Sequence, residues 1–228
     1  MLTPTLTTPF ANATRIHQSL TASAEKRILH WLAAHSPRWL TSDQLTLLGL
    51  LAQLAAGLAY AASAHHRAAL LAVNGFILLN WLGDSLDGTL ARVRNQQRPR
   101  YGFYVDHMVD LFGALALMSG LAVSGLLHWP TAIALLVAFL LLSAESYLAT
   151  YTLHRFELSQ GPFGPTELRV LLVLGNLALL RSPYAHILGH CVLLFDLAGI
   201  IAAAAMFALA TVLTLRHTAE LYHQEPLA

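Results

Sequence analysis

Charge is scarce in this chain. Of its 228 residues only 11% are Asp, Glu, Lys or Arg, against about 25% in an ordinary soluble domain. That excludes a water-exposed surface of normal composition. Cysteine is nearly absent as well, and the one present, Cys191, excludes an intrachain disulfide framework. Its neighbours Val192, Leu193 and Leu194 put that thiol at lipid depth or in a core. The 12 histidines include no H-E-x-x-H spacing, so no zinc is assigned. Residues 1–14 lack a basic stretch followed by an apolar run, so no cleaved signal peptide is expected and the first span serves as its own insertion signal. The net charge is only +1, and no nucleic-acid partner is expected.

What is present is apolar. With 56% hydrophobic residues and a positive mean hydropathy, the composition is that of an all-α, polytopic integral membrane protein with no room for a second domain. Residues 1–22 are Thr-rich, unpatterned and expected to be loose. Over 23–38 an amphipathic helix is expected in the membrane interface, with Ser23 as its cap and Glu25 in its first turn. There Ile28, Leu29, Trp31 and Leu32 share one face and Lys26, Arg27 and His30 the other; a soluble surface helix is the alternative. A six-helix membrane domain is expected over 39–216, followed by a cytoplasmic tail over 217–228. The six spans are placed at 45–62, 68–81, 102–127, 131–151, 166–180 and 187–213, and their average near ~20 residues suits a ~30 Å hydrocarbon core. Eleven basic residues (Arg15, Lys26, Arg27, Arg38, Arg92, Arg94, Arg98, Arg100, Arg155, Arg169 and Arg216) then fall on one side, against Arg67 and Arg181 on the other. By the positive-inside rule the first side, with both termini, is cytoplasmic. In a bacterium the membrane would be the inner one.

The chemistry is concentrated between Asp84 and Asp110, which reads D-S-L-D-G-T-L-A-R, nine residues, then G-F-Y-V-D-H-M-V-D. On a helix, Asp84, Asp87, Gly88 and Ala91 lie within roughly 100° of one another at ~100° per residue. The first two offer carboxylates, and the next two leave backbone bare beside them. Gly102, Asp106 and Asp110 repeat the arrangement at i, i+4 and i+8 on a second helix. Four carboxylates facing one another repel unless a cation sits among them. An all-oxygen donor set favours Mg²⁺ or Mn²⁺ over zinc.

The pattern D-x2-D-G-x2-A-R…G-x3-D-x3-D resembles the signature of the CDP-alcohol phosphatidyltransferases (CDP-alcohol phosphotransferases). All eight signature positions, spread over 27 residues, are filled: Asp84, Asp87, Gly88, Ala91, Arg92, Gly102, Asp106 and Asp110. The gap between Arg92 and Gly102 is one residue longer than in many members. The resemblance implies transfer of a phosphatidyl or phosphoalcohol group from a CDP-linked donor to an alcohol, with CMP leaving and one substrate a lipid. It implies Asp84, Asp87, Asp106 and Asp110 as ligands of two Mg²⁺ or Mn²⁺ ions, with Asp110 also the general base. Asp87, Gly88, Ala91, Arg92 and Gly102 would form the CDP site, and a homodimer is expected. For Arg92 a plain topology-setting arginine is the alternative to a phosphate contact. Upstream, Leu45, Thr46, Leu47 and Gly49 also resemble the family's entry to its first span. Ser42-Asp43 stand there where Pro-Asn is usual, and either can simply cap the helix.

Three acceptor-pocket residues are named: Glu145, Glu167 and Arg169. Glu145, deep in a span near Tyr147 and Tyr151, lines the pocket or pairs with another helix. Asp196 has the same two readings, the structural one preferred. The run Gly164-Pro165-Thr166-Glu167 resembles a stretch in aminoalcohol phosphotransferases, which would set Glu167 and Arg169 beside the alcohol. A simple helix start with Pro at its first position is the alternative. Leu168 separates Glu167 from Arg169, unlike the G-x-x-E-R of branches that use phosphorylated acceptors, so such an acceptor is not expected. His107 lies ~100° off the face of Asp106 and Asp110 and reads as packed.

Two other classes compete. Asn80, Asp84 and Asp87 faintly echo a membrane prenyltransferase, but no second Asp-rich motif follows Asp110. A divalent-cation transporter would hold its acids near mid-membrane. Here Arg92, Arg94, Arg98 and Arg100 rim the acids, which attracts phosphates and repels cations.

Overall fold

Several of the long helices start at a capping group or a proline. The computed structural model describes residues 14–16, 22–157, 164–187 and 189–225. Among these are seven α-helices: α1 (Ala22–His35), α2 (Ser42–Ala62), α3 (Ala69–Val93), α4 (Pro99–Ser124), α5 (Trp129–Leu153), α6 (Pro165–Arg181) and α7 (Leu194–Gln224). At the head of α2, Gln44 N–H donates to the Thr41 hydroxyl and Thr41 N–H to the Gln44 side chain, at 3.2 and 2.9 Å. The cap is thus Thr41, one residue before the expected Ser42 or Asp43, because only Thr41 is followed three residues on by a Gln. Pro99 opens α4 rather than ending a preceding helix, since its missing N–H costs nothing in a first turn. The α1 helix begins at Ala22, so Ser23 lies inside its first turn and is not the cap.

Five of these helices (α2, α3, α4, α5 and α7) are long and apolar enough to cross a membrane by length and composition. Neither α1, with 14 residues, nor α6, with 17, is among them. The sixth expected span started too early. Over its first residues the chain forms a hairpin of β3 (Tyr184–Ile187) and β4 (His190–Leu193), and helix begins only at Leu194. A short apolar run reads equally as strand or helix; here Gly189, at φ +82°, takes the left-handed conformation between the two paired strands. Cys191 is accordingly exposed on β4, not in a core. A second short pairing, parallel, joins β1 (Thr14–Ile16) to β2 (Arg155–Glu157). The segment expected to be loose over 1–22 thus holds a strand at Thr14–Ile16, made by pairing with β2, and the first residue of α1, Ala22; its other residues, the Gly161-Pro162 breaker and tail residues 226–228 lie outside the described residues. The tail was expected from 217, yet α7 continues through Gln224.

The hub is α2, which packs against both α3 and α4. Close approach is possible because glycines meet there. A Cβ on Gly83 would lie 2.6 Å from the Leu45 carbonyl oxygen and 2.7 Å from Gly49 N, and one on Gly120 would strike the Gly57 carbonyl. Around the crossing, Tyr60, Leu70, Val73, Ile77, Leu121 and Leu179 form the largest buried cluster. Within it the Tyr60 hydroxyl donates to Asn176 Oδ1 at 2.9 Å, and Asn176 Nδ2 to Asn74 Oδ1 at 2.8 Å, tying α2, α3 and α6 by buried polar groups that satisfy one another. At the far end Asp196, in the first turn of α7, accepts the His128 N–H at 2.8 Å and pairs with its ring.

Candidate active site

Helix α3 does not stop at Trp81 but runs on to Val93, so Asp84, Asp87, Gly88, Ala91 and Arg92 all sit on one continuous helix. The helix is held at that length from outside. Its C-cap residue Arg94 donates through its guanidinium to the carbonyls of Ser36, Pro37 and Leu40, at 3.2 Å and 2.9 Å for the first two. Four residues separate Arg94 from α4, which presents Gly102, Asp106 and Asp110 in its first half.

Between these helices lies a cavity of about 1500 Å³, lined by Asp84, Asp87, Gly88, Ala91, Arg92, Gly102, Asp106, Asp110 and Arg169, among others. All eight signature positions therefore open on one space. Asp110 lies close enough to Asp84, Asp87 and Arg169 to feel their charges, and Tyr147 of α5 feels those of Asp106 and Asp110. A Cβ on Gly102 would meet nothing within 4 Å, and one on Gly88 only an Arg92 nitrogen at 3.4 Å. These bare positions face open cavity, the shape a closely packed ligand needs.

The aspartates have definite partners. Asp84 Oδ2 accepts from Arg169 Nη2 at 2.6 Å. Asp87 Oδ2 accepts from the Thr46 hydroxyl at 2.5 Å, and its other oxygen from the adjacent Gly88 N–H. The Ser42 hydroxyl donates to the Asp87 carbonyl at 3.0 Å, and Asp43 pairs with Arg98. So the two residues expected as caps instead bind α3 and the α3–α4 loop. Arg92 donates to the Thr89 hydroxyl at 2.9 Å from a position on the cavity wall. The His107 ring meets the Phe103 carbonyl at 2.6 Å and packs edge-on against Tyr147, as expected for a packed histidine.

Whether a divalent cation suits this site is decided by its donors. They are all oxygens, from two helices, around one cavity, and a guanidinium stands on Asp84 where a metal cation's charge would be. That chemistry fits Mg²⁺ or Mn²⁺. The rotamers do not yet gather: among the described residues no three acidic, His or Cys side chains converge as an ion would require. Asp84 and Asp87 would have to turn from Arg169 and Thr46.

Two expected acceptor-pocket residues stand elsewhere. Glu167 is buried and off the cavity wall, its Oε2 accepting the Gly164 N–H at 2.9 Å; the helix-start reading describes that contact. The Glu145 carboxylate meets His217 Nδ1 of α7 at 2.5 Å, the interhelical pairing that was the alternative, and it too is off the wall. Arg169 does line the cavity, as do Ser143, Ser146 and Tyr147.

Three residues, Asn80, Gln53 and Glu25, were not read as part of the site. Asn80 lies one turn before Asp84, and that i, i+4 spacing was the available signal. Gln53 donates nothing to any motif but accepts from Asn80 Nδ2 at 3.2 Å. Glu25 was read only as a first-turn acid. Its Oε1 accepts from Trp81 Nε1 at 3.0 Å, Ser85 Oγ at 3.1 Å and Thr166 Oγ1 at 3.0 Å, so it joins α1 to α3 and α6 at the cavity. The buried face of α1 is thus Glu25, Leu29 and Ala33, while Ile28 and Trp31 point outward, splitting the single apolar face expected there.

The sequence matches the family model for CDP-alcohol phosphatidyltransferase over residues 39–215. The chain belongs to the CDP-alcohol phosphatidyltransferase family. No curated protein matches it. Among solved structures it is similar to the crystal structure of Mycobacterium tuberculosis phosphatidylinositol phosphate synthase (PgsA1) with CDP-DAG bound. The identity is 20%, over 88% of this chain and 92% of that one, with a TM-score of 0.50. That likeness is one of fold. As a CDP-alcohol phosphatidyltransferase-family protein, the chain is a membrane transferase of phospholipid synthesis, which sets aside the prenyltransferase and cation-transporter readings.

Proposed function

We propose that this enzyme moves a phosphatidyl or phosphoalcohol group from a CDP-linked donor to an alcohol hydroxyl, releasing CMP, with divalent metal and Asp110 as general base. The observation that carries the proposal is the meeting of all eight signature positions on one cavity. In the reaction the acceptor oxygen attacks the phosphorus distal to the cytidine. The bond from that phosphorus to the bridging oxygen breaks, CMP keeps the oxygen, and the hydroxyl proton passes to Asp110. Asp84, Asp87 and Asp106 would hold the metal, with Asp110 completing the set. Bound there, Mg²⁺ or Mn²⁺, read as two ions, supplies charge neutralisation of the diphosphate.

Gly88, Ala91 and Gly102 leave room for the nucleotide, and Arg92 offers a guanidinium fork to phosphate. The same cavity continues past Leu117, Met118, Leu135, Phe139 and Met206, an apolar wall suited to acyl chains, which supports a lipid as one substrate. CDP-diacylglycerol is the donor favoured, because the structurally similar mycobacterial synthase holds CDP-DAG. The acceptor favoured is not phosphorylated, since Leu168 interrupts the G-x-x-E-R arrangement. Arg169 remains the acceptor-side residue. α6 makes the sixth crossing, α1 lies in the interface, and the aspartate end and both termini face the cytoplasm in a homodimer. The test is purified protein with labelled CDP-diacylglycerol or CDP-ethanolamine and a panel of free and phosphorylated alcohols, scoring CMP release. CMP formed only with CDP-diacylglycerol and an unphosphorylated alcohol is the expected result; no CMP from any pair refutes the assignment.

A further inference from the structure

We infer that Arg169 is a built-in counter-ion of the aspartate cluster: its guanidinium occupies Asp84 until a divalent cation takes that carboxylate, so that cation binding and Arg169 release are one exchange. This rests on the metal dependence proposed above and adds to it a residue that competes with the ion.

The geometry is that of a built seat, not a chance surface pair. Arg169 Nη2 reaches Asp84 Oδ2 at 2.6 Å while its Nε donates to Asn80 Oδ1 at 3.1 Å. Asn80 is 5% exposed, and its Nδ2 donates to the Gly49 carbonyl at 3.0 Å and to Gln53 Oε1 at 3.2 Å. With its nitrogen committed to α2, the Asn80 amide can only turn its oxygen toward Arg169. Asn80 and Asp84, one turn apart on α3, thus grip the guanidinium at two points from across the α3–α6 contact. Arg cannot shed its charge to make way for an ion. A metal on Asp84 would bring two cations onto one carboxylate in a partly buried site, where like charges repel strongly. One must leave, and Asn80 alone is a neutral partner too weak to keep Arg169. Displaced, the guanidinium still borders the cavity and is free for a substrate phosphate.

The exchange predicts a gain, which simple damage to the fold does not produce. Mn²⁺ affinity of the purified full-length protein in detergent is measured by electron paramagnetic resonance, without substrate, for wild type, Arg169→Gln, Arg169→Lys, Asn80→Ala and Asp84→Asn. Losing the competitor in Arg169→Gln should tighten Mn²⁺ about tenfold. Arg169→Lys keeps the charge but not the Asn80 grip, and Asn80→Ala keeps the charge but not the seat, so both should fall between. Asp84→Asn should weaken binding. If Arg169→Gln does not give folded protein, tightening in Arg169→Lys and Asn80→Ala decides. Wild type that binds Mn²⁺ while every one of these three variants binds it equally or more weakly overturns the counter-ion role and leaves the metal reading standing. Absence of Mn²⁺ binding in wild type and variants alike overturns both.

Discussion

Replacing Glu25 with Ala should loosen the whole aspartate end of the molecule, because one oxygen of this side chain holds three donors. Oε1 accepts from Trp81 and Ser85 on α3 and from Thr166 on α6, and the residue is only 9% exposed. The other oxygen, Oε2, is buried and has no hydrogen-bond partner among the described residues. Removing the carboxylate relieves that orphan, which offsets part of the loss. The Ser85 and Thr166 hydroxyls can rotate to other acceptors, whereas the indole N–H cannot. At about 1.5–3 kcal/mol for a bond to a charged acceptor, one irreplaceable bond and two half-recovered ones, less the orphan's relief, leave about 3 kcal/mol. For a chain of this size that is a fall in Tm of about 6–12 °C. Glu25→Gln keeps a carbonyl for the three donors and should cost about 1 kcal/mol, while Thr166→Val, which removes one donor and leaves Glu25 in place, should cost no more than that. Thermal melts in detergent, read beside tryptic cleavage at Lys26 and Arg27 as a report on α1 detaching, check the order. A Glu25→Ala protein no less stable than Thr166→Val would refute the reasoning, since the acceptor would then carry no more than one of its donors.

Chelation should abolish CMP release and added Mg²⁺ or Mn²⁺ restore it, so undiminished turnover in excess EDTA is the contrary result. Asp110→Asn should leave CDP-substrate binding largely intact and lower turnover by about a hundredfold or more, the usual scale for a lost general base. Asp84→Asn should weaken both, and equal losses of binding in the two variants would erase the division of roles. Glu167→Ala should cost about 1 kcal/mol through the opened turn at Gly164 with acceptor KM unchanged, measured by melting and by steady-state kinetics. Gly83→Val should fail to assemble, because its side chain would lie within 2.7 Å of both the Leu45 carbonyl and Gly49 N; a normal melt and elution profile would contradict the packing.

Scarcity of charge, the apolar periodicity and the eight signature positions were enough, from sequence alone, for the class of the chain and its family. A helix repeats every 3.6 residues, so Asp84, Asp87, Gly88 and Ala91 share a face whatever they pack against. The family match covers residues 39–215, a span that contains all eight signature positions. What no local pattern contains is the partner across space. Tertiary structure decided that Asp84 meets Arg169, 85 residues away, that Asp87 meets Thr46, 41 residues away, and that Glu25 reaches Thr166, 141 residues away. It decided between open alternatives for Glu145 and Glu167, because a buried carboxylate takes whichever donor the packing brings, here His217 and the Gly164 N–H. It also turned residues 184–193 into a hairpin. Their apolar content was legible, but a short, mostly apolar stretch reads as strand or helix alike, and only the turn at Gly189 and the pairing across it distinguish the two.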